Sequence, residues 1–108
     1  QRQANERERE QAEFAQRLHA LYGTSEEEGE LWRTVLAQGD GQFSPSVFAI
    51  LCACHLLTLQ QGVARIGTRT EYHYRQLQHP STAIVLKRLF RAIFGEEPEI
   101  EYVLLDMT

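Results

Sequence analysis

The chain has 108 residues, 43% of them hydrophobic, and a net charge of −4, which allows one domain built on one core. No apolar run approaches the ~20 residues a membrane helix needs, and there is no secretory leader pattern. The two cysteines, Cys52 and Cys54, sit too close on one helix for an unstrained bridge, so free thiols in a reducing cytoplasm are expected.

The chain opens on Gln1 and a charged run, which reads as a piece cut from a longer protein, a pattern a processed N-terminus would share. Residues 2–22 predict a helix. Glutamine and alanine support helical propensity there, and Phe14, Leu18 and Leu21 recur at helical spacing on one face. Gly23 suits its C-terminal cap. Ser25 and Glu28 have the spacing of a capping box, with Thr24 and Glu27 as the other register. They open a helix whose stripe is Leu31, Trp32, Val35 and Leu36. Ser44 followed by Pro45 starts a third helix. Its run from Val47 to Ala53 is nearly all apolar, which predicts a helix buried on every side.

The period then changes to two. Leu56 to Gln60 and Val63 to Ile66 flank Gln61-Gly62 and predict a β-hairpin. Thr68 and Glu71 have capping-box spacing for a further helix, broken or kinked near Pro80. Ile84, Val85, Leu86, Leu89, Phe90, Ile93 and Phe94 form the strongest amphipathic pattern, and Gly95 ends it. Ile100, Tyr102 and Leu104 alternate in a last strand. The order is α-α-α-β-β-α-β: an α+β domain at 24–108 with a three-stranded antiparallel sheet on helices, and an appended charged helix at 1–23. The last strand is expected beside the first. Leu57, Leu59, Ala64, Ile66, Ile100, Tyr102 and Leu104 are the expected core face. Leu56, Thr58, Arg65, Glu101 and Val103 then form an open face that is partly apolar.

Charge is segregated. Residues 61–95 carry six basic groups, Arg65, Arg69, Arg75, Lys87, Arg88 and Arg91, against one acid, Glu71. Residues 96–108 carry five acids and no base. The middle segment either faces an anionic partner or is neutralised by the acidic ends.

Four groups in fixed order carry a resemblance: Leu31-Trp32 with Val35-Leu36, Leu56 through Gly67, Leu86 with Leu89-Phe90 and Ile93-Phe94-Gly95, and Ile100 through Val103. Together they resemble a KH-like domain of the bacterial replication machinery. That module is found at the N-terminus of the initiator DnaA and in the C-terminal region of the DNA polymerase III gamma/tau subunit (DnaX). The resemblance covers about three quarters of the chain, from Leu31 onward. It implies a module without catalytic residues that binds replication proteins, such as the helicase or polymerase, and sometimes single-stranded DNA.

The residues themselves point the same way. Cys52, Cys54 and His55 lack a second ligand pair at zinc-site spacing. His19, His55, His73 and His79 are scattered and define no triad. Phosphate-cradling motifs are absent, and Gly62 and Gly67 are too far apart for the GXXG clamp of nucleic-acid-binding KH domains. No catalytic residue, metal or cofactor is expected. The preferred reading is a non-catalytic protein–protein interaction module of the replication machinery, contacting its partner through Trp32, Leu31, Leu56 and Val103. One alternative is a single-stranded nucleic-acid binder using the six basic residues, with Tyr72 and Tyr74 offering at most one stacking ring. The other is a scaffold that oligomerises through residues 1–22.

Overall fold

The computed structural model describes residues 2–105; the expected domain end at 108, with acidic Asp106, lies outside the described residues. Helix α1 (Arg2–Tyr22) is followed by α2 (Glu26–Gly39), α3 (Pro45–Cys52), β1 (His55–Gln60), β2 (Val63–Thr68), α4 (Glu71–Gln76), α5 (Pro80–Phe94) and β3 (Glu99–Leu104). The α+β class and the element order follow the sequence pattern, with the expected helix around Pro80 divided in two.

Local chemistry sets these boundaries. The Ser25 N–H donates to the Glu28 carboxylate at 3.2 Å, closing the capping box of α2. Three glutamates, Glu26, Glu27 and Glu28, occupy its first turn, where the helix dipole favours negative charge. Ser44 Oγ accepts from the Val47 N–H at 3.3 Å, and Pro45 is the first residue of α3. The cap of α4 is Thr70, whose hydroxyl accepts from the His73 N–H at 3.1 Å. The expected cap, Thr68, is a buried strand residue instead. Both threonines precede a plausible helix start, and the β2–β3 ladder continues through Thr68 and claims it. His79 caps α5, with Pro80 following, and Gly95 ends it at φ 81°, a left-handed value that glycine adopts without strain.

The hairpin turn is a two-residue one. Gln61 and Gly62 both have positive φ, 55° and 75°, the requirement of the type I′ turn that matches strand twist. β1 and β2 pair antiparallel. β3 pairs with β2 rather than β1, and the ladder is parallel. The sheet is therefore mixed, in the order β1-β2-β3, not wholly antiparallel. The chain leaves β2, returns through α4 and α5, and re-enters the sheet in the direction of β2. β3 thus runs opposite to β1 as expected, but with β2 between them.

A bulge in β1 reverses the expected facing of one residue pair. Leu56 pairs with Ile66 and Thr58 with Arg65, leaving Leu57 as the extra residue. Leu56 joins the main core, while Leu57 joins a second apolar cluster. The core face is thus Leu56, Leu59, Ala64, Ile66, Ile100 and Tyr102, against Trp32, Val35, Leu86, Leu89 and Phe90 of the helices. Leu104, expected inside, is 45% exposed, because the strand ends there and Leu105 turns inward to the second cluster.

That second cluster explains the partly apolar outer face of the sheet. α1 lies over it. Leu18, Leu57 and Leu105 are buried together, with Phe14, Tyr22 and Val103 packed around them. The inward row of α1 is buried Leu18 with half-buried Phe14 and Tyr22; Leu21, expected in that row, points to solvent. Gly67 lies beneath Leu105, where an added Cβ would approach Leu105 Cδ2 to 2.9 Å. The bulge also frees the Leu57 carbonyl, which accepts a 2.7 Å hydrogen bond from Thr24 Oγ1 and so pins the α1–α2 corner to β1.

α3 is not buried on every side. Only Ile50 and Leu51 are buried, while Ala49 and Cys52 face solvent. The central place belongs to α5, whose Leu86, Leu89 and Phe90 fill the layer between sheet and helices. A two-turn helix at the rim has one side to offer that layer.

Candidate interaction surfaces

Trp32 and Leu56, expected as partner contacts, are core residues. Trp32 is 5% exposed and its indole N–H donates to the Cys54 carbonyl at 3.1 Å. Leu56 is buried beside it in the same cluster. Leu31 packs against that cluster and Val103 against the α1 cluster, both half-buried. Trp32 and Leu56 therefore offer no free apolar surface for a contact, whereas Leu31 and Val103 keep part of theirs accessible. The α2 stripe that suggested an anchor is the stripe that closes the fold.

The six basic residues do not converge on one field. Arg65 faces Glu101 across the β2–β3 ladder at 3.4 Å, Arg75 holds Glu71 at 2.6 Å one helical turn away, and Lys87 reaches Glu99 at 3.4 Å. β3 thus supplies the counter-charge for Arg65 and Lys87. The Arg69 guanidinium lies 4.7 Å from the centre of the Phe14 ring, a cation–π contact that ties the sheet to α1. Arg88 and Arg91 remain exposed on α5. Tyr72 is exposed and Tyr74 half-buried on α4.

The residues that carry reactive groups meet elsewhere. A cleft of about 900 Å³ opens between α1, the first turns of α2 and the start of β1, lined among others by Phe14, Ala15, Trp32, Cys52, His55 and Arg69. His19 and Cys54 also reach it. Each of three groups there has a structural partner. The Cys54 thiol donates to the Ile50 carbonyl at 3.2 Å. Burial pushes its pKa up to about 11, against a smaller opposing effect of the Thr68 hydroxyl, which leaves it a poor nucleophile at neutral pH. His19 Nδ1 bonds the Thr24 carbonyl oxygen at 3.1 Å. The His55 ring packs against Phe14, centres 4.7 Å apart. Cys52 is exposed at the end of α3. Among the described residues, no three His, Cys, Asp or Glu side chains lie close enough to hold a metal ion.

Burial, and then the Arg69 cation, lower the pKa of His55 from the ordinary 6.5. Below that value the unfolded chain takes up a proton that the folded chain resists. The stability that neutral His55 contributes is therefore complete above pH 6.5 and declines as pH falls. The melting temperature is expected to fall as the pH is lowered below about 6.5, the ordinary histidine value that the unfolded chain retains. His55→Phe keeps a ring against Phe14 and should flatten that slope. An unchanged slope would place its source in another group.

Sequence reasoning missed the cleft because its walls come from three distant segments. It also grouped Ile84 with the buried stripe of α5, although Ile84 is 56% exposed. Its phase was the available signal: Ile84 lies four residues before Arg88, in the polar row, and opposite Leu89 and Ile93.

Searched against protein-family models and against curated proteins, the chain matches none.

Proposed function

We propose that this domain is a non-catalytic protein–protein interaction module of the DNA replication machinery, an adaptor of the clamp-loader or initiator kind, working in the cytoplasm. The observation that carries the reading is the state of the cleft between α1 and the α2–β1 corner. It gathers thiols and imidazoles, yet Cys54, His19 and His55 are each held in a structural contact. What remains is a groove whose accessible apolar wall is Phe14 and Ala15 of α1, with charges of both signs around it, Arg7, Glu10, Glu26 and Arg69. Apolar walls with a few placed polar groups suit binding. A segment of a replicative helicase or polymerase subunit with mixed charge is the occupant this rim favours. The agreement in order between α2–β3 and the elements the KH-like resemblance implies is the second support.

Ala15 lines the cleft from α1 and is exposed, so Ala15→Arg fills the groove without touching the core. Capture of helicase or polymerase subunits is expected to fall by at least about tenfold, with the melting temperature unchanged, as for surface changes that stay within about 0.5 kcal/mol. Undiminished capture by a folded variant would reject the cleft as the docking site.

A further inference from the structure

The inner side of α5 is spent on the core, where Leu86, Leu89 and Phe90 are buried. Its outer side carries Ile84, Arg88 and Arg91, all exposed. At about 100° per residue these three fall within roughly 60° of one another, and the row extends about 10 Å along the axis. Three facts set this row apart. Ile84 is one of the most exposed large apolar side chains, at 56%. Neither arginine has an ion pair among the described residues, whereas Arg65, Arg75 and Lys87 each have one. α5 contains no acidic residue of its own, so the helix cannot supply the counter-charge through the usual pairing one turn away.

Helix stability does not ask for this arrangement. A β-branched residue at an exposed helical position is a weaker helix former than alanine, lysine or glutamate. Arg91, in the last turn, complements the helix dipole, but Arg88 lies a turn further in and gains little from it. We infer that the outer side of α5 is a docking surface for an acidic, apolar-anchored helix of a protein partner, whose carboxylates meet Arg88 and Arg91 and whose apolar side chain covers Ile84. Residues at i, i+4 and i+7 of such a helix match the length and spacing of the row. A protein is favoured over single-stranded DNA because the row's apolar residue is aliphatic, and the exposed ring beside Arg91, Phe94, is already stacked on Phe90 rather than presented for a base.

This surface is separate from the cleft. α1 lies on the outer face of the sheet and α5 on the inner one, so two partners can be held at once, as an adaptor requires. The proposal does not rest on the cleft reading, and the two fail separately.

The test uses the whole chain and three fluorescein-labelled probes at low salt: a helical peptide of glutamates and leucines at four- and three-residue spacing, its lysine-for-glutamate counterpart, and an oligothymidine. Fluorescence anisotropy is expected to show tightest binding of the acidic peptide. The double variant R88E/R91E should weaken it about tenfold or more, and Ile84→Ser roughly threefold or more. Both variants should melt like the parent, and Ala15→Arg should bind this peptide normally. Equal affinity of the parent and R88E/R91E for the acidic peptide would overturn the proposal, as would equal binding of the lysine peptide. Tighter binding of oligothymidine that ignores Ile84→Ser would transfer the surface to nucleic acid and overturn it as well.

Discussion

Replacing Trp32 with alanine is expected to cost about 3–5 kcal/mol of folding free energy, the range for removing a large aromatic from a packed core. Domains of this size are stable by only about 5–15 kcal/mol, so much of the margin disappears. Two losses combine. The indole leaves a cavity in the main core, and the Cys54 carbonyl loses the N–H that reaches it from α2. That hydrogen bond joins α2 to the residue just before β1, across 22 positions of sequence. Trp32→Phe separates the losses. It keeps most of the apolar volume and removes the donor, with an expected cost of about 1–3 kcal/mol for the buried carbonyl left unpaired. Urea unfolding followed by far-ultraviolet circular dichroism is the suitable measurement, since Trp32 is the single tryptophan and its removal abolishes the fluorescence probe. Parent-like stability in Trp32→Ala with lost partner binding would return Trp32 to the surface role its sequence position suggested.

The fate of Trp32 shows what an amphipathic pattern conveys. Leu31, Trp32, Val35 and Leu36 identify a helix and its apolar side, and both are found. Whether that side meets the chain's own core or another protein depends on what the rest of the chain places against it. The hairpin was legible for a similar reason: period-two alternation and a Gln-Gly turn are local. The bulge at Leu57 was not. Leu56 and Leu57 are chemically identical, so nothing in the sequence marks which of them faces α5 and which faces α1. The position of β3 was also hidden. A strand–helix–strand connection fixes its direction, but choosing between β1 and β2 as neighbour depends on how the crossover packs.

The same division holds for charge. The excess of arginine and lysine from 61 to 95 is real, but a one-dimensional count cannot register that β3 lies along β2. That adjacency sets Glu101 opposite Arg65, and the start of the same strand brings Glu99 to Lys87. Such exposed pairs add little stability, about 0–1 kcal/mol each. Their consequence is electrostatic: with the Arg75–Glu71 pair they neutralise half of the six cations, and among the described residues Arg69, held over Phe14, and Arg88 and Arg91 on α5 have no ion pair. The candidate site was thus legible as a composition and not as a place.

Leu18→Ala is expected to release α1 from the sheet. Leu18 is buried against Leu57 and Leu105, and this small cluster is the main apolar seat of a helix whose turns through Glu13 are solvent-exposed from Glu6 on. The cost of a buried leucine-to-alanine change is about 2–5 kcal/mol, large against the stabilisation that three side chains on one helix can supply. Once undocked, α1 has little to keep it helical, since isolated helices of moderate length are marginal in water. The measurable result is a loss of helical circular dichroism and of amide-exchange protection in α1 and at Leu57, before the α2–α5 core opens. Leu21→Ala is the control. Leu21 is 60% exposed one turn along the same helix, and its removal should cost no more than about 0.5 kcal/mol. Gly67→Ala reaches the same seat from beneath, because its Cβ would meet the Leu105 side chain at 2.9–3.0 Å, and it should loosen α1 in the same direction. If Leu18→Ala and Leu21→Ala prove equally mild, α1 is not held by this cluster, and the outer face of the sheet must be covered in some other way.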